Sequence, residues 1–299
     1  MSDPQTASRW RSAVYGMSDI GFLREANEDS VVCVPLYRSS ATPRELVFAA
    51  ACDGMGGLAG GEIASRTAGI AALRFVSGAE WDAGNSAASE AVARDALVEA
   101  HRAVVAAAEE QGTRGCMGTT AVLAVMSCNQ CVVGWTGDSR ALLYRRGALN
   151  CITTDHSKVQ AEVDAGVLTE EQAQHHPDRH LITRFLGQPG ELTPDVASFE
   201  LQEHDLVVLA TDGVTGELEE REIRDVCTQA LARACEINQE ALRRIADELV
   251  DRVLARGAPD NTSIALLAPR LEEAASDQAC SGSDIPYPFL NEAQLCLFR

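Results

Sequence analysis

At five places in this sequence an acidic side chain sits at the edge of a short apolar run, beside glycine or another turn-forming residue. The run 46–52 ends in Asp53-Gly54-Met55-Gly56-Gly57, the run 206–210 in Thr211-Asp212-Gly213, and the run 131–136 in Gly137-Asp138-Ser139. Asp260, in Pro259-Asp260-Asn261, precedes the last such run, and Asn27-Glu28-Asp29 precedes the run 31–37. A carboxylate at the end of a strand, followed by glycines, is held rigidly while the backbone stays open to a ligand. Any one of these has an ordinary reading, because Asp and Gly are turn residues. If the edges converge, however, like charges collect within a few ångströms, at several kcal/mol per uncompensated buried ion unless cations neutralise them. Oxygen donors without histidine suit hard ions, Mg²⁺ or Mn²⁺, rather than zinc. Two such ions polarise a phosphoryl oxygen and acidify a bridging water enough to make hydroxide available near neutral pH.

The elements that must position these acids read as short strands between longer helices. Apolar and β-branched runs at 13–17, 31–37, 46–52, 121–126, 131–136, 141–145, 206–210 and 263–267 predict strands. Alanine- and charge-rich stretches at 62–76, 88–110, 220–234 and 239–256 predict helices. In the last, Leu242, Ile245, Ala246, Leu249, Val253 and Leu254 recur near helical spacing and make one apolar face. Strands arrive in runs, with a meander expected over 118–151, which favours an α+β sandwich over βαβ alternation. Between 156 and 190 the pattern weakens and His175, His176, Pro177 and His180 crowd together, so this stretch reads as a partly helical surface insertion. Periodicity ends after Pro269. The remainder reads as a loosely ordered tail, whose apolar finish (Phe289, Leu290, Leu295, Leu297, Phe298) could dock on the domain or on a partner. No internal repeat is present.

The 299 residues carry a formal net charge of −19, with 46% hydrophobic and 23% charged residues. That composition buries a real core, and its acidity argues against nucleic acid, whose phosphates are bound by Arg and Lys. No apolar run approaches the ~18 residues needed to span a bilayer, and residues 1–10 lack the apolar core of a secretory signal. A cytoplasmic location with no membrane contact is therefore expected. The 10 cysteines are scattered, several (Cys33, Cys52, Cys131, Cys227) within apolar segments, as expected of reduced thiols acting as small hydrophobes. Cys128 and Cys131 form a lone CxxC flanking Asn129-Gln130 at an expected hairpin turn; a zinc site would need a second pair, and the sequence has none.

Taken in order, Ser18-Asp19-Ile20-Gly21, Arg24-Glu25-Ala26-Asn27-Glu28-Asp29, Asp53-Gly54-Met55-Gly56-Gly57, Gly118-Thr119-Thr120, Gly137-Asp138-Ser139-Arg140, Thr211-Asp212-Gly213 and Asp260-Asn261 resemble the motifs of one family. It is the metal-dependent protein phosphatases, the 2C-type Ser/Thr phosphatases, in their bacterial form, and the resemblance runs over about 14–267. It implies a four-layer α-β-β-α sandwich of two stacked antiparallel sheets with a small flap insertion at about 156–190. The implied phosphatase domain covers 11–269, followed by the tail at 270–299.

The same resemblance implies that Asp53 bridges two Mn²⁺ or Mg²⁺ ions and that the Gly54 carbonyl ligates one of them. It implies that Asp212 and Asp260 complete the second ion's shell, and that Glu28 and Asp29 hold metal-bound waters or the metal itself. Asp138, sharing Asp212, matches the position for a weaker third ion. Arg24 stands where the family places its phosphate-binding arginine, and a guanidinium fork suits phosphate oxygens on physical grounds too. With Asp53 and Asp212 it makes up the implied catalytic set. The implied reaction is direct hydrolysis of phosphoserine and phosphothreonine in proteins by a metal-bridged hydroxide, so catalysis is mostly positioning and charge neutralisation. A bacterial Ser/Thr kinase is the implied counterpart. One departure matters: many eukaryotic relatives have histidine where this chain has Met55, and methionine cannot protonate a leaving group. A metal-bound water or His156 could do so, although Asp155-His156-Ser157 looks first like the family's loop motif after the meander.

Other readings fit less well. Gly54 to Ala59 matches GxGxxA, but Asp53 would set a negative charge beside a pyrophosphate, and the helix from 62 leads into another helix rather than a second parallel strand. Asp155-His156-Ser157 collects the residue types of a triad without a GxSxG elbow. His204-Asp205 matches the pair of HD-type metallophosphohydrolases without their further helical histidines. The non-enzyme alternative is a pseudophosphatase, the same fold used as a regulatory binding module; the presence of Asp53, Asp138, Asp212 and Asp260 favours catalysis.

Overall fold

Along residues 46–52, Leu46, Phe48, Ala50 and Cys52 enter one core while Val47, Ala49 and Ala51 enter another. A strand buried on both faces shows no polar alternation, so the sequence reads as one apolar run. The same division organises the whole molecule, a computed structural model that describes residues 9–37, 45–56, 60–82, 84–233 and 236–272.

The described chain opens with β1 (Arg9–Asp19), β2 (Ser30–Tyr37), β3 (Glu45–Cys52) and the two-residue β4 (Gly54–Met55). Helices α1 (Gly60–Gly78) and α2 (Ser86–Glu110) follow, then β5 (Gly118–Thr119), β6 (Ala121–Ser127), β7 (Gln130–Thr136), β8 (Arg140–Arg145) and β9 (Ala148–Cys151). Short helices α3 (Lys158–Asp164) and α4 (Glu170–Gln174) precede β10 (Asp195–Glu200) and β11 (Leu206–Ala210). The one-turn α5 (Asp212–Thr215), then α6 (Glu220–Arg233), α7 (Gln239–Leu254) and β12 (Thr262–Glu272) complete it.

Two five-stranded sheets result, ordered β1-β12-β11-β8-β9 and β10-β7-β6-β3-β2, with every neighbouring pair antiparallel. Their facing sides share a core of Val47, Ala49, Val122, Met126, Trp135, Leu143, Val207, Leu209, Ala265 and Leu267. The outer face of the second sheet is covered by α1 and α2 through Ala64, Ala68, Leu73, Leu97 and Val104. The outer face of the first is covered by α6 and α7 through Ile223, Leu242, Ile245, Leu249 and Val253. The α+β, α-β-β-α sandwich is thus four layers around three cores. Asn85 and Asn238 cap α2 and α7, each side-chain oxygen accepting a first-turn N–H.

Some expectations need correction. The meander over 118–151 is split: β6 and β7 form a hairpin in one sheet, β8 and β9 a hairpin in the other, and the chain crosses between sheets at Gly137–Ser139. That crossing carries Asp138. The β6–β7 turn is Cys128-Asn129, with Cys128 at φ 55 and Gln130 already paired to Ser127 in the ladder. The cysteines therefore do not flank the turn symmetrically. Strands β9 and β10 were not expected; both are incompletely buried and mix polar with apolar residues, so no apolar run marks them. Asp212 does not lie in a plain turn but begins α5. Residues 57–59 of the glycine run and 273–299 of the expected tail lie outside the described residues.

Candidate active site

The end of β3 is tied to two other segments before any side-chain chemistry enters. Asp53 N–H donates to Thr120 Oγ1 (3.1 Å), Thr120 N–H donates to Asp53 O (2.9 Å), and Thr119 Oγ1 donates to the same carbonyl (2.8 Å). Thr120 Oγ1 in turn meets Ser139 Oγ at 2.7 Å, next to Asp138 at the crossing between sheets. The Gly118-Thr119-Thr120 motif is therefore the clamp that fixes Asp53 relative to Asp138. Gly54 is required by packing: a Cβ there would run into the carbonyls of Gly61 and Glu28. Gly213 is required likewise, against the Asn261 carbonyl.

A second clamp joins opposite ends of the chain. Asn261 Nδ2 donates to Ile20 O (2.9 Å) and Ala26 O (3.1 Å), while Asn261 Oδ1 accepts Glu28 N–H (2.8 Å). One amide thus holds the loop between β1 and β2 against Asp260. On that loop Arg24 Nη2 donates to Asp260 Oδ2 at 2.6 Å, both side chains being partly exposed. The Glu28 carboxylate accepts the Gly61 N–H at the start of α1. Asp29 Oδ2, buried, accepts Thr211 Oγ1 (2.9 Å), and Thr211 Oγ1 accepts Ser263 N–H (3.1 Å). The carboxyls of Asp53 and Asp212 lie within hydrogen-bonding reach of each other.

The predicted acids are thus brought together, and their electrostatics are those of crowded like charges. Burial, then the fields of Asp29, Asp212 and Asp138, push Asp53 well above the ordinary carboxylate range. Asp138 is raised to about 7 by burial, then by Asp212 and Asp155. Asp29 is raised to about 7 by burial, against hydrogen bonds from Ser263 and Thr211 and with the added repulsion of Asp212 and Asp260. Asp212 is raised by burial and then by Asp260, and Glu28 by burial despite Arg24.

This donor set fits hard divalent ions, since a cation would replace the proton that the Asp53–Asp212 contact otherwise needs. Asp53, Asp212, Asp260 and the Gly54 carbonyl could hold such ions. Among the described residues no three His, Cys, Asp or Glu side chains close into a tight cage. A Mg²⁺-like ion that keeps several waters does not need one.

The base of the segment 156–190 is built differently. Gly137 N–H donates to His156 Nδ1 (3.1 Å), so Nε2 carries the proton and donates to Asp195 Oδ2 (2.9 Å). Arg184 also meets Asp195 (3.3 Å), Trp135 stacks on His156, and Thr183 N–H donates to His156 O (2.7 Å). Arg140 grips Asp155 with two bonds, 2.9 and 2.7 Å. His156 has both ring nitrogens engaged and is structural. Asp205 of the His204-Asp205 pair is an ion-pair partner of Arg145 (2.6 Å), which disposes of the HD reading. From the flap, His180 bears electrostatically on Asp212. Sequence reasoning missed the roles of Thr120, Ser139, Thr211 and Asp195. The first three lay inside or beside quoted motifs, whereas nothing local marks Asp195.

Comparisons with known proteins find phosphatases. A family model described as Protein phosphatase 2C matches residues 26–275. The Protein phosphatase PhpP of Streptococcus pneumoniae serotype 2 is 32% identical over 263 residues, covering 86% of this chain and 98% of that protein. The Serine/threonine phosphatase stp of Listeria welshimeri is 28% identical, covering 87% and 97%. The crystal structure of the Mycobacterium tuberculosis serine/threonine phosphatase PstP/Ppp superposes with a TM-score of 0.70 at 31% identity, over 86% of this chain and 98% of that one. A structure of the PstP catalytic domain in complex with two manganese ions gives 0.68 at 30% identity, over 87% and 99%.

Proposed function

The chain belongs to the protein phosphatase 2C family, and on that premise we propose that it hydrolyses phosphoserine and phosphothreonine in protein substrates at its carboxylate cluster. The observation that carries the reading is the meeting of Asp53, Asp138, Asp212 and Asp260, from four separate strand edges, beside Arg24. When bound there, two Mn²⁺ or Mg²⁺ ions supply an acidified water as nucleophile and polarise the phosphoryl oxygen. Asp53 would be the ligand shared by both ions and the Gly54 carbonyl a ligand of one; Asp212 and Asp260 would complete the second ion's shell, Glu28 and Asp29 would hold metal-bound waters or the metal itself, and Asp138 with Asp212 would serve a third ion.

The protein's own part is mostly preorganisation. The Thr119–Thr120 clamp fixes Asp53, and Asn261 fixes the Arg24 loop. Arg24 spends Nη2 on Asp260, and the other donors of its fork take the phosphate oxygens. Met55 has no proton to give and the His156 proton is committed to Asp195, so the leaving oxygen takes its proton from water in the site. The flap over 156–190, within a domain spanning 11–269, bears on substrate access.

Support comes from the relatives, named as Ser/Thr phosphatases, and from the manganese-bound PstP structure. Turnover of a phosphothreonine peptide is expected to require Mn²⁺ or Mg²⁺ and to vanish in Asp53→Ala. Absence of metal-stimulated turnover, or turnover that survives Asp53→Ala, overturns the reading in favour of a regulatory binding module. We extend the proposal to opposition of a Ser/Thr kinase in the cytoplasm. In a strain carrying Asp212→Ala, that kinase's phosphosites should accumulate relative to wild type.

A further inference from the structure

Five large apolar side chains stand exposed among the described residues, and three of them are near-neighbours in sequence: Ile20, Phe22 and Leu23, at 39%, 66% and 72%. The other two, Val167 and Leu181, belong to the flap segment. The three occupy the β1–β2 loop directly before Arg24, and that loop is pinned. Phe22 N–H donates to Ala258 O (3.0 Å), Gly21 N–H to Asp19 Oδ1 (2.8 Å), and Asn261 holds the Ile20 carbonyl (2.9 Å). Gly21, at φ 75, lies so close to the carbonyls of Ala258 and Asp260 that a Cβ has no room. The exposed side chains are therefore carried on the same backbone that positions Asp260 and Arg24. They add nothing to any of the three cores. Exposed apolar area on a pinned loop beside a reactive site is the mark of a contact surface.

We infer that Phe22 and Leu23, flanked by Ile20, form an apolar lip that receives an aliphatic or aromatic side chain of the phosphoprotein within two residues of the phosphorylated Ser or Thr. The inference rests on the phosphatase reading and deepens it. A phosphate bound at Arg24 fixes where the substrate backbone passes. Successive Cα atoms are about 3.8 Å apart, so one or two positions from the phosphoresidue is a span of under about 8 Å, the scale that also separates Leu23 and Phe22 from Arg24 along the loop. Charge selects against an acidic neighbour: Asp19, Glu25, Glu28 and Asp260 surround the loop in a chain of net charge −19. The phosphate itself is met by Arg24, and the surface left for its neighbours is apolar.

The test compares kcat/KM of the full chain, with Mn²⁺, on two phosphothreonine peptides. They differ only in carrying leucine or serine at the positions within two residues of the phosphothreonine. The leucine peptide should be preferred about tenfold, the scale of one modest apolar contact. Phe22→Ser and Leu23→Ser should each reduce that ratio, and the double variant should bring it to about twofold or less. Equal kcat/KM for the two peptides in wild type, or a ratio unchanged in the double variant, overturns the lip. Absence of Mn²⁺-stimulated turnover of both peptides by wild type overturns the underlying phosphatase reading instead, so the two failures are distinguishable. If the two peptides are equal in wild type and stay equal once Phe289, Leu290, Leu295, Leu297 and Phe298 are replaced by serine in the full chain, while that replacement raises kcat/KM for both only when Phe22 and Leu23 are intact, the lip's occupant is the tail and the substrate assignment is overturned.

Discussion

At the carboxylate cluster Asp53, Asp212 and Asp260 face one another, whereas at the base of the flap Arg140 grips Asp155, and His156 and Arg184 both meet Asp195. Both regions are charged, and both border the crossing from β7 to β8. In the first, partners of the same sign are held together by clamps that act on the backbone, and the carboxyls are driven toward protonation. In the second, opposite signs satisfy each other and His156 stays neutral, below its ordinary range because burial outweighs Asp195. Paired charges of the second kind position a segment. Like charges of the first kind oppose folding, a repulsion that bound protons or cations would relieve.

The largest effect that can break this contrast lies at the cluster. Asp53→Asn should lower kcat/KM about 10³-fold, because metal charge stabilisation is worth several kcal/mol in the transition state. It should leave the melting temperature of chelator-treated protein unchanged or higher, because one repelling charge is gone. A clear drop in that temperature would make Asp53 a structural residue. Next comes the metal itself, which at about 100 times its dissociation constant should add roughly 2.7 kcal/mol to stability.

That gain should grow with pH. Asp29 and Asp138, raised to about 7 when no cation is present, bind protons in the folded state that the unfolded chain releases near pH 4. Chelated protein should therefore lose stability as pH rises from about 4 to about 7, and metal should cancel the loss. Thermal melts across that range, with and without Mn²⁺, test it; a chelated protein that grows more stable over the window contradicts it.

At the flap base the expected signature is reversed. Arg140→Ala should cost about 2 kcal/mol, below the value for a fully buried pair because the arginine is 33% exposed. Denaturant unfolding should show the loss with or without metal. The smallest effect belongs to His156. Its folded pKa is lowered, so the unfolded chain takes up a proton near pH 6.5 that the folded state refuses. Stability is then complete above that pH and is lost on acidification through it, with His101, also lowered by burial, adding the same sign. His156→Asn should flatten the fall between about pH 7 and 5.5, read by hydrogen exchange at the Gly137 and Thr183 amides. An unchanged slope would remove His156 from the account.

Much of the cluster was legible because each acid follows or precedes a strand that the sequence displays as an apolar run. The runs at 46–52, 206–210 and 263–267 all lie within strands, since burial on both faces leaves an uninterrupted apolar signature. Pairing was less legible. The split of β6–β7 from β8–β9 depends on which neighbours each strand finds elsewhere in the chain, and local composition does not carry that. Strand β10 was hidden because a half-buried edge strand such as Asp195–Glu200 lacks an apolar run. The ligand-bearing side chains could be named, but their holders could not. Thr120, Thr211 and Asn261 act across 67, 182 and 233 residues on Asp53, Asp29 and Glu28, and separations of that kind leave no periodicity.

The pairing of β1 with β12 along eleven residues from Arg9 to Glu272, and the reach of Asn261 back to Glu28, have a consequence for biosynthesis. A ribosome that has made Asp53, Asp138 and Asp212 has not yet made Asp260, Asn261 or the strand that seats β1. Until residues 258–261 and β12 emerge, the Arg24 loop lacks the Ala258 carbonyl, Asp260 and the Asn261 amide, and a growing polypeptide carries most of the acids without the whole cluster. The cluster is therefore complete only when the described chain is almost wholly synthesised.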